Sequence, residues 1–146
     1  MIHGVTMFRV GLCCTFLEAP IKLRTTTVKY AAGLSPRART AFLSELLLHN
    51  ARTLDAAVAW CVANGVGAFR INSGLLPLAT HCELGYTLDD ACARGVRELL
   101  VAAGARARAG DVRLSFHPDQ FVVPGSDNPA VVVASLAELE AQAEVA

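Results

Sequence analysis

The chain reads as an α/β protein built on a parallel sheet. Three observations predict this: short apolar segments alternate with amphipathic helical stripes, capping signals announce the helices, and the unit of strand, loop and helix recurs three times. Strands that alternate with helices favour parallel pairing through right-handed βαβ units. A full (β/α)8 barrel needs eight units, typically about 250 residues. Three units in 146 residues therefore predict the first part of one barrel domain, spanning residues 1–146. The chain ends at Glu144-Val145-Ala146 inside a helix with neither Gly nor a basic last turn, so the expectation is that C-terminal units are absent and an unpaired sheet edge invites self-association.

Phe8-Arg9-Val10-Gly11-Leu12-Cys13-Cys14 reads as a buried first strand, followed by a polar, Thr-rich loop. Ser35 and Pro36 supply an N-cap and a first helical position, where a missing N–H has no partner to lose. Leu47, Ala51, Leu54, Val58 and Cys61 then follow at helical spacing, and Asn64-Gly65 supplies the stop. The second strand is Val66 to Asn72, mostly apolar, as for a strand covered on both faces. After a long loop carrying Pro77 and His81, Thr87 and Asp90 form a capping-box-like pair, with Asp89 and Asp90 complementing the positive end of a helix that ends near Gly104. Val112 to His117 forms the third strand. Asn128 and Pro129 open a last helix with Val132, Leu136, Leu139 and Ala143 on one stripe.

At 53% hydrophobic residues the chain is suited to a sizeable core. Thirteen basic residues balance thirteen acidic ones, so contact with nucleic acid must come from local clustering. Five cysteines, at 13, 14, 61, 82 and 92, lack CxxC spacing and read as reduced thiols rather than a disulfide framework or zinc ribbon. With no leader-like start and no apolar run near the roughly 18 residues that cross a bilayer, the expected location is cytoplasmic, without membrane contact.

Working residues of parallel α/β folds collect where strands end. His117 exits the third strand before Pro118, so it is either a metal or catalytic residue or a histidine hydrogen-bonded within the barrel. His81 has no local ligand motif and reads first as a surface or structural residue; His49 and His3 read as bland. Asn50 lies on the apolar side of its helix, where its amide must find partners, with the sheet as the favoured one. Cys13 and Cys14 are placed to touch a site but read first as two small buried hydrophobes. Gln120-Phe121 pairs an amide with an apolar ring, either a wedge between bases or a ring tucked under its own loop. Lys22 and Arg24, followed by Thr25-Thr26-Thr27, carry the groups that bind phosphate oxygens, as do many solvated loops.

Taken in order, Gly11-Leu12-Cys13-Cys14, Asn50, Phe69-Arg70-Ile71-Asn72-Ser73 running into Leu76-Pro77-Leu78-Ala79-Thr80-His81, and His117-Pro118-Asp119-Gln120-Phe121 resemble the UV damage endonuclease family from about Arg9 to the end. The resemblance implies the N-terminal part of a TIM-barrel endonuclease domain that nicks double-stranded DNA 5′ to ultraviolet photoproducts. It implies a cluster of divalent metals, usually manganese, with magnesium or zinc as alternatives. It also implies His81 and His117 as metal ligands and Gln120 and Phe121 as the pair inserted at the lesion; Lys22 and Arg24 join them as candidate DNA contacts on their own chemistry, and Asn50, Cys13, Cys14, Asn72 and Ser73 as candidate supporting residues. Three departures stand out: Asn72 replaces the usual Ser, Asp119 an often-found Gly, and Gln142 the usual His. The remaining family ligands lie in later units, so the fragment is expected to be weakly active or inactive alone. The rival readings are a metal-dependent sugar isomerase or epimerase on a related barrel, and a non-catalytic half-barrel that survives by pairing with another chain.

Overall fold

A computed structural model describes residues 9–146; His3 and Phe8 lie outside the described residues. Strand β1 covers Gly11–Cys13, β2 Ala68–Asn72 and β3 Arg113–His117, and helices α1 to α4 cover Val28–Gly33, Pro36–Ala63, Val96–Ala109 and Pro129–Val145. The three strands form a parallel sheet in the order β1-β2-β3, as the alternating pattern predicts. Leu12, Phe69 and Leu114 stand in one row and Cys13, Arg70 and Ser115 in the next; Asn72 is opposite His117. All three strand ends therefore meet at one edge.

The first strand is not buried as expected, with Gly11 and Cys13 exposed and only Leu12 turned towards the core, and the expected cover on both faces of β2 is not found. Phe69 and Ile71 are buried while Arg70 and Asn72 are exposed, the alternation of a strand packed on one side. Helices α2 and α3 cover that side: Leu46, Leu47, Leu54, Val58 and Cys61 of α2 meet Val96, Leu100, Ala103 and Ala107 of α3 in one core. The opposite face, carrying Cys13, Arg70, Ser115 and His117, is polar and open.

The long helix α2 follows its signals. Ser35 Oγ accepts from the Ala38 N–H at 3.4 Å, Pro36 opens the helix, and Gly65 leaves it at φ 68°. Every residue of its expected stripe is buried. Helix α1 is an addition inside the Thr-rich loop, where Thr27 Oγ1 accepts from the Tyr30 N–H.

Helix α3 corrects two expectations. Asp90 Oδ2 does accept from the Thr87 N–H at 2.7 Å, but this pair closes a turn leading into a short 3-10 segment at Ala91–Ala93. The α-helix starts only after Gly95, at φ 80°, and Asp89 pairs with Arg97 instead of capping. The helix then runs through Gly104 to Ala109, because Ala103 and Ala107 extend its buried stripe by a turn. In α4 the buried side carries Ser135 and Gln142, not the stripe of Val132, Leu136, Leu139 and Ala143; Leu136 is 47% exposed. Polar contacts set this rotation: Ser135 Oγ accepts from the Val123 N–H, Glu138 accepts from Thr80 Oγ1, and Glu144 pairs with Arg97. Among the described residues no helix is long and apolar enough to cross a membrane.

Candidate functional site

The strand ends form the site. His117 ends β3, and its Nδ1 lies 3.0 Å from Cys14 Sγ, just past β1. These residues flank β2, so the contact bridges two strand spacings, roughly 10 Å, with thiol and imidazole reaching towards each other. Cys14 holds φ 61°, a left-handed conformation uncommon outside glycine, and its N–H is fixed to the Arg70 carbonyl at 2.9 Å. Cys13 Sγ is 3.5 Å from Cys14 Sγ. Cys13 is exposed and Cys14 half-buried, so neither is the buried hydrophobe the sequence suggested. Burial, then the hydrogen bond and charge of Cys13, push the Cys14 thiol up to about 11, against a lowering by Arg70.

Arg70 is the residue that sequence reasoning passed over. It projects from the open face beside Cys14 and makes no salt bridge among the described residues. Its signal was the alternation Phe69-Arg70-Ile71-Asn72, which places a cation on the face opposite the core.

His81 lies in a separate turn. Its Nδ1 accepts from the N–H groups of Glu83 and Leu84, both at 3.2 Å, which leaves Nε2 to carry the proton of a neutral ring. The turn is held tightly: the Gly85 N–H donates to the His81 carbonyl at 2.7 Å, the Tyr86 N–H to Ala79 at 3.1 Å, and Tyr86 Oη donates to the Pro77 carbonyl at 2.8 Å. A Cβ on Gly85 would lie 2.5 Å from the His81 oxygen and 2.7 Å from the Ala79 oxygen. Gly85→Ala is therefore expected to open this turn at a cost of about 1–3 kcal/mol, read by thermal denaturation; an unchanged melting temperature would show that the turn is not tight in solution.

Asn50 is fully buried and saturated. Its Oδ1 accepts from the Arg24 N–H at 2.8 Å, and Nδ2 donates to the carbonyls of Arg24, Leu75 and Gly74 at 2.9, 3.1 and 3.3 Å. The partners are the loops after β1 and β2, not the sheet. Asn72 Oδ1 accepts from the Gly74 N–H at 2.8 Å, and Ser73 lines a groove of about 410 Å³ with Thr25, Leu78, Asp119 and Phe121.

The His117-Pro118-Asp119-Gln120-Phe121 segment forms a turn. Asp119 Oδ1 accepts from the Phe121 N–H at 3.0 Å, so the carboxylate at this departure position shapes its own loop. Gln120 is exposed and Phe121 is 76% exposed; the ring is not tucked under its loop. Lys22 is exposed, whereas the Arg24 guanidinium already pairs with Glu45 at 2.9 Å. His49 Nε2 lies 3.3 Å from the Lys22 carbonyl, a structural contact. Gln142 donates to Glu138 Oε1 at 3.1 Å.

Residues 8–146 match the family described as UV-endonuclease UvdE. The chain belongs to this family. Relatives include the UV DNA damage endonuclease of Deinococcus radiodurans, 34% identical over 140 residues, covering 94% of this chain and 44% of that protein. The UV DNA damage endonuclease of a Nostoc species is 32% identical over 135 residues, covering 92% of this chain and 41% of its own length. The crystal structure of SacUVDE superposes with a TM-score of 0.77 at 27% identity, over 95% of this chain and 45% of that one. The fold is thus part of a TIM barrel. The chain spans under half the length of these relatives.

Proposed function

We propose that this chain supplies the N-terminal units of a DNA-repair endonuclease that nicks double-stranded DNA 5′ to ultraviolet lesions. The observation that carries this reading is the exposed Phe121, held by the Asp119 turn four residues past His117, in a chain that matches the UvdE family over residues 8–146. The aromatic ring and the Gln120 amide would enter the duplex at the lesion, where bases are already poorly stacked and cheap to displace. Arg70 and Lys22 would meet phosphate oxygens, and Arg24 would do so only on leaving Glu45.

The family resemblance brings a divalent metal with it, and in such a reaction the ion activates water and neutralises charge on phosphate. His117 suits a ligand role at a strand exit. The donors beside it do not suit manganese, which prefers carboxylate, carbonyl and water oxygens, whereas two thiols and an imidazole suit zinc. His81 would join as a second ligand through Nε2 only if its proton moved to Nδ1, which would break the two turn contacts there. Among the described residues, the three metal-capable groups that converge are Cys13, Cys14 and His117, without His81.

The test is incision of ultraviolet-irradiated supercoiled plasmid by this chain and by a chain carrying the further barrel units, with metal and then with chelator. The longer chain is expected to nick damaged plasmid and this chain to nick weakly or not at all. Equal nicking of irradiated and untreated plasmid by both would overturn the reading. The edges of β1 and β3, unpaired among the described residues, make self-association part of the proposal; sedimentation as a clean monomer would remove that part.

A further inference from the structure

We propose that Cys13, Cys14 and His117 together form a binding site for a thiophilic ion of the zinc class, with one coordination position left open to solvent. The inference builds on the placement of His117 in the proposed function, but it concerns a thiol-containing donor set and does not depend on DNA incision.

The geometry is close to that of a bound ion. The ligating atoms of the three residues all lie within 4.8 Å of one another. Zinc–sulfur bonds of about 2.3 Å and a zinc–nitrogen bond of about 2.0 Å, at tetrahedral angles, put two sulfurs about 3.8 Å apart and sulfur and nitrogen about 3.5 Å apart. Here the two Sγ atoms are 3.5 Å apart, and Cys14 Sγ is 3.0 Å from His117 Nδ1. Small rotations of the side chains would admit an ion, because the contact between Cys14 and His117 holds only a proton.

The backbone fixes the donors before any ion arrives. The Cys14 N–H is bonded to the Arg70 carbonyl and the Thr15 N–H to the Cys13 carbonyl at 2.7 Å, while His117 is the last residue of a paired strand. Two thiolates and an imidazole are the ligand class that zinc uses when a fourth position stays open for water. Cys13 and His117 are exposed, so that position faces solvent at the strand ends. Charge and protons balance: one divalent ion replaces the two thiol protons, which pass to solvent, and the two thiolates neutralise it.

Cobalt(II) is the probe. Added to the reduced, metal-stripped chain, a single equivalent is expected to give the near-ultraviolet sulfur-to-cobalt absorption, which zinc should abolish and manganese leave in place. Cys13→Ser and Cys14→Ser should each weaken cobalt binding by about 100-fold or more, and Cys82→Ser should leave it unchanged. A second arm needs no variant: zinc is expected to slow alkylation of Cys13 and Cys14, mapped by mass spectrometry, by about tenfold or more while Cys82 reacts at its original rate. Absence of the thiolate band, its persistence in the double Cys13→Ser, Cys14→Ser variant, displacement of cobalt by manganese, or equal protection of Cys82 would each overturn the proposal. None of these readouts involves DNA, so failure here leaves the repair reading standing, and failure of incision leaves this site standing.

Discussion

Replacing Asn50 with leucine is expected to cost about 3 kcal/mol and to lower the melting temperature by roughly 10 °C. The side chain is completely buried in α2, where leucine would otherwise be the natural occupant. Its amide satisfies one backbone N–H and reaches three carbonyls in the loops after β1 and β2, the first of which α2 also touches at its surface through Arg24–Glu45 and His49–Lys22. A leucine has the same branching but bulkier tips, so it removes all four contacts, leaves their partners facing an apolar group and adds crowding at a fully buried site. An unmet buried donor or acceptor costs about 1–3 kcal/mol; some relief comes from water reaching the Arg24 side of the network. Asn50→Asp keeps the acceptor for the Arg24 N–H but turns a donor into an anion facing carbonyl oxygens, so it is expected to be at least as damaging. Denaturation by heat and by urea measures both. A leucine variant melting within about 2 °C of the parent would show that the loops are held elsewhere.

The same network explains why the fold was easier to read than the site. Helix α2 announces itself locally: Ser35 and Pro36 start it, a stripe at helical spacing fills it, and Asn64-Gly65 ends it. Helix α3 does not. The Thr87 and Asp90 pair has the right chemistry for a cap but closes a turn, and the real start follows Gly95, whose positive φ is invisible until the chain is folded. Gly104 looked like a stop because an isolated glycine weakens a helix by about 1 kcal/mol; burial of Ala103 and Ala107 against α2 outweighs that preference. In α4 the apolar stripe lost to polar anchors on Ser135, Glu138 and Glu144, whose partners come from other elements. Helix α1 is too short to leave a periodic signature.

For the site, sequence reasoning reached individual residues but not their convergence. His117 was recognisable from its place at a strand exit. Its partner Cys14 is 103 positions away, and the two meet only through the register of β1, β2 and β3. Asn50 was legible because an amide within an apolar stripe demands partners, though not which loops would supply them. Arg70 sits in the same short segment as Phe69 and Ile71, and its exposure carries meaning only because β2 is covered on one side. Separation in sequence, rather than unusual chemistry, hid the rest.

Phe121→Ala is expected to weaken binding to ultraviolet-damaged duplex by about 1–3 kcal/mol, roughly 5- to 150-fold, while leaving binding to undamaged duplex nearly unchanged. The prediction rests on the proposed repair function and on two features of the loop. First, the ring is 76% exposed, so removing it deletes no core contact and the melting temperature should stay within the small range of surface substitutions. Second, the ring is presented on a fixed turn: Asp119 accepts from the Phe121 and Val122 N–H groups through its side chain and carbonyl, and the Val123 N–H is anchored to Ser135 Oγ at 2.8 Å. An aromatic side chain held in this way can stack on an unpaired base without first being ordered, which preserves more of the stacking energy. Binding to undamaged duplex depends mainly on charge and salt, to which Phe121 contributes nothing. Ser135→Ala keeps the ring but releases its anchor, so a smaller loss on damaged DNA should accompany it, now with a measurable drop in stability because Ser135 is buried. Fluorescence anisotropy with matched damaged and undamaged duplexes separates the cases. An equal loss on both, or none on either, would show that Phe121 does not read the lesion.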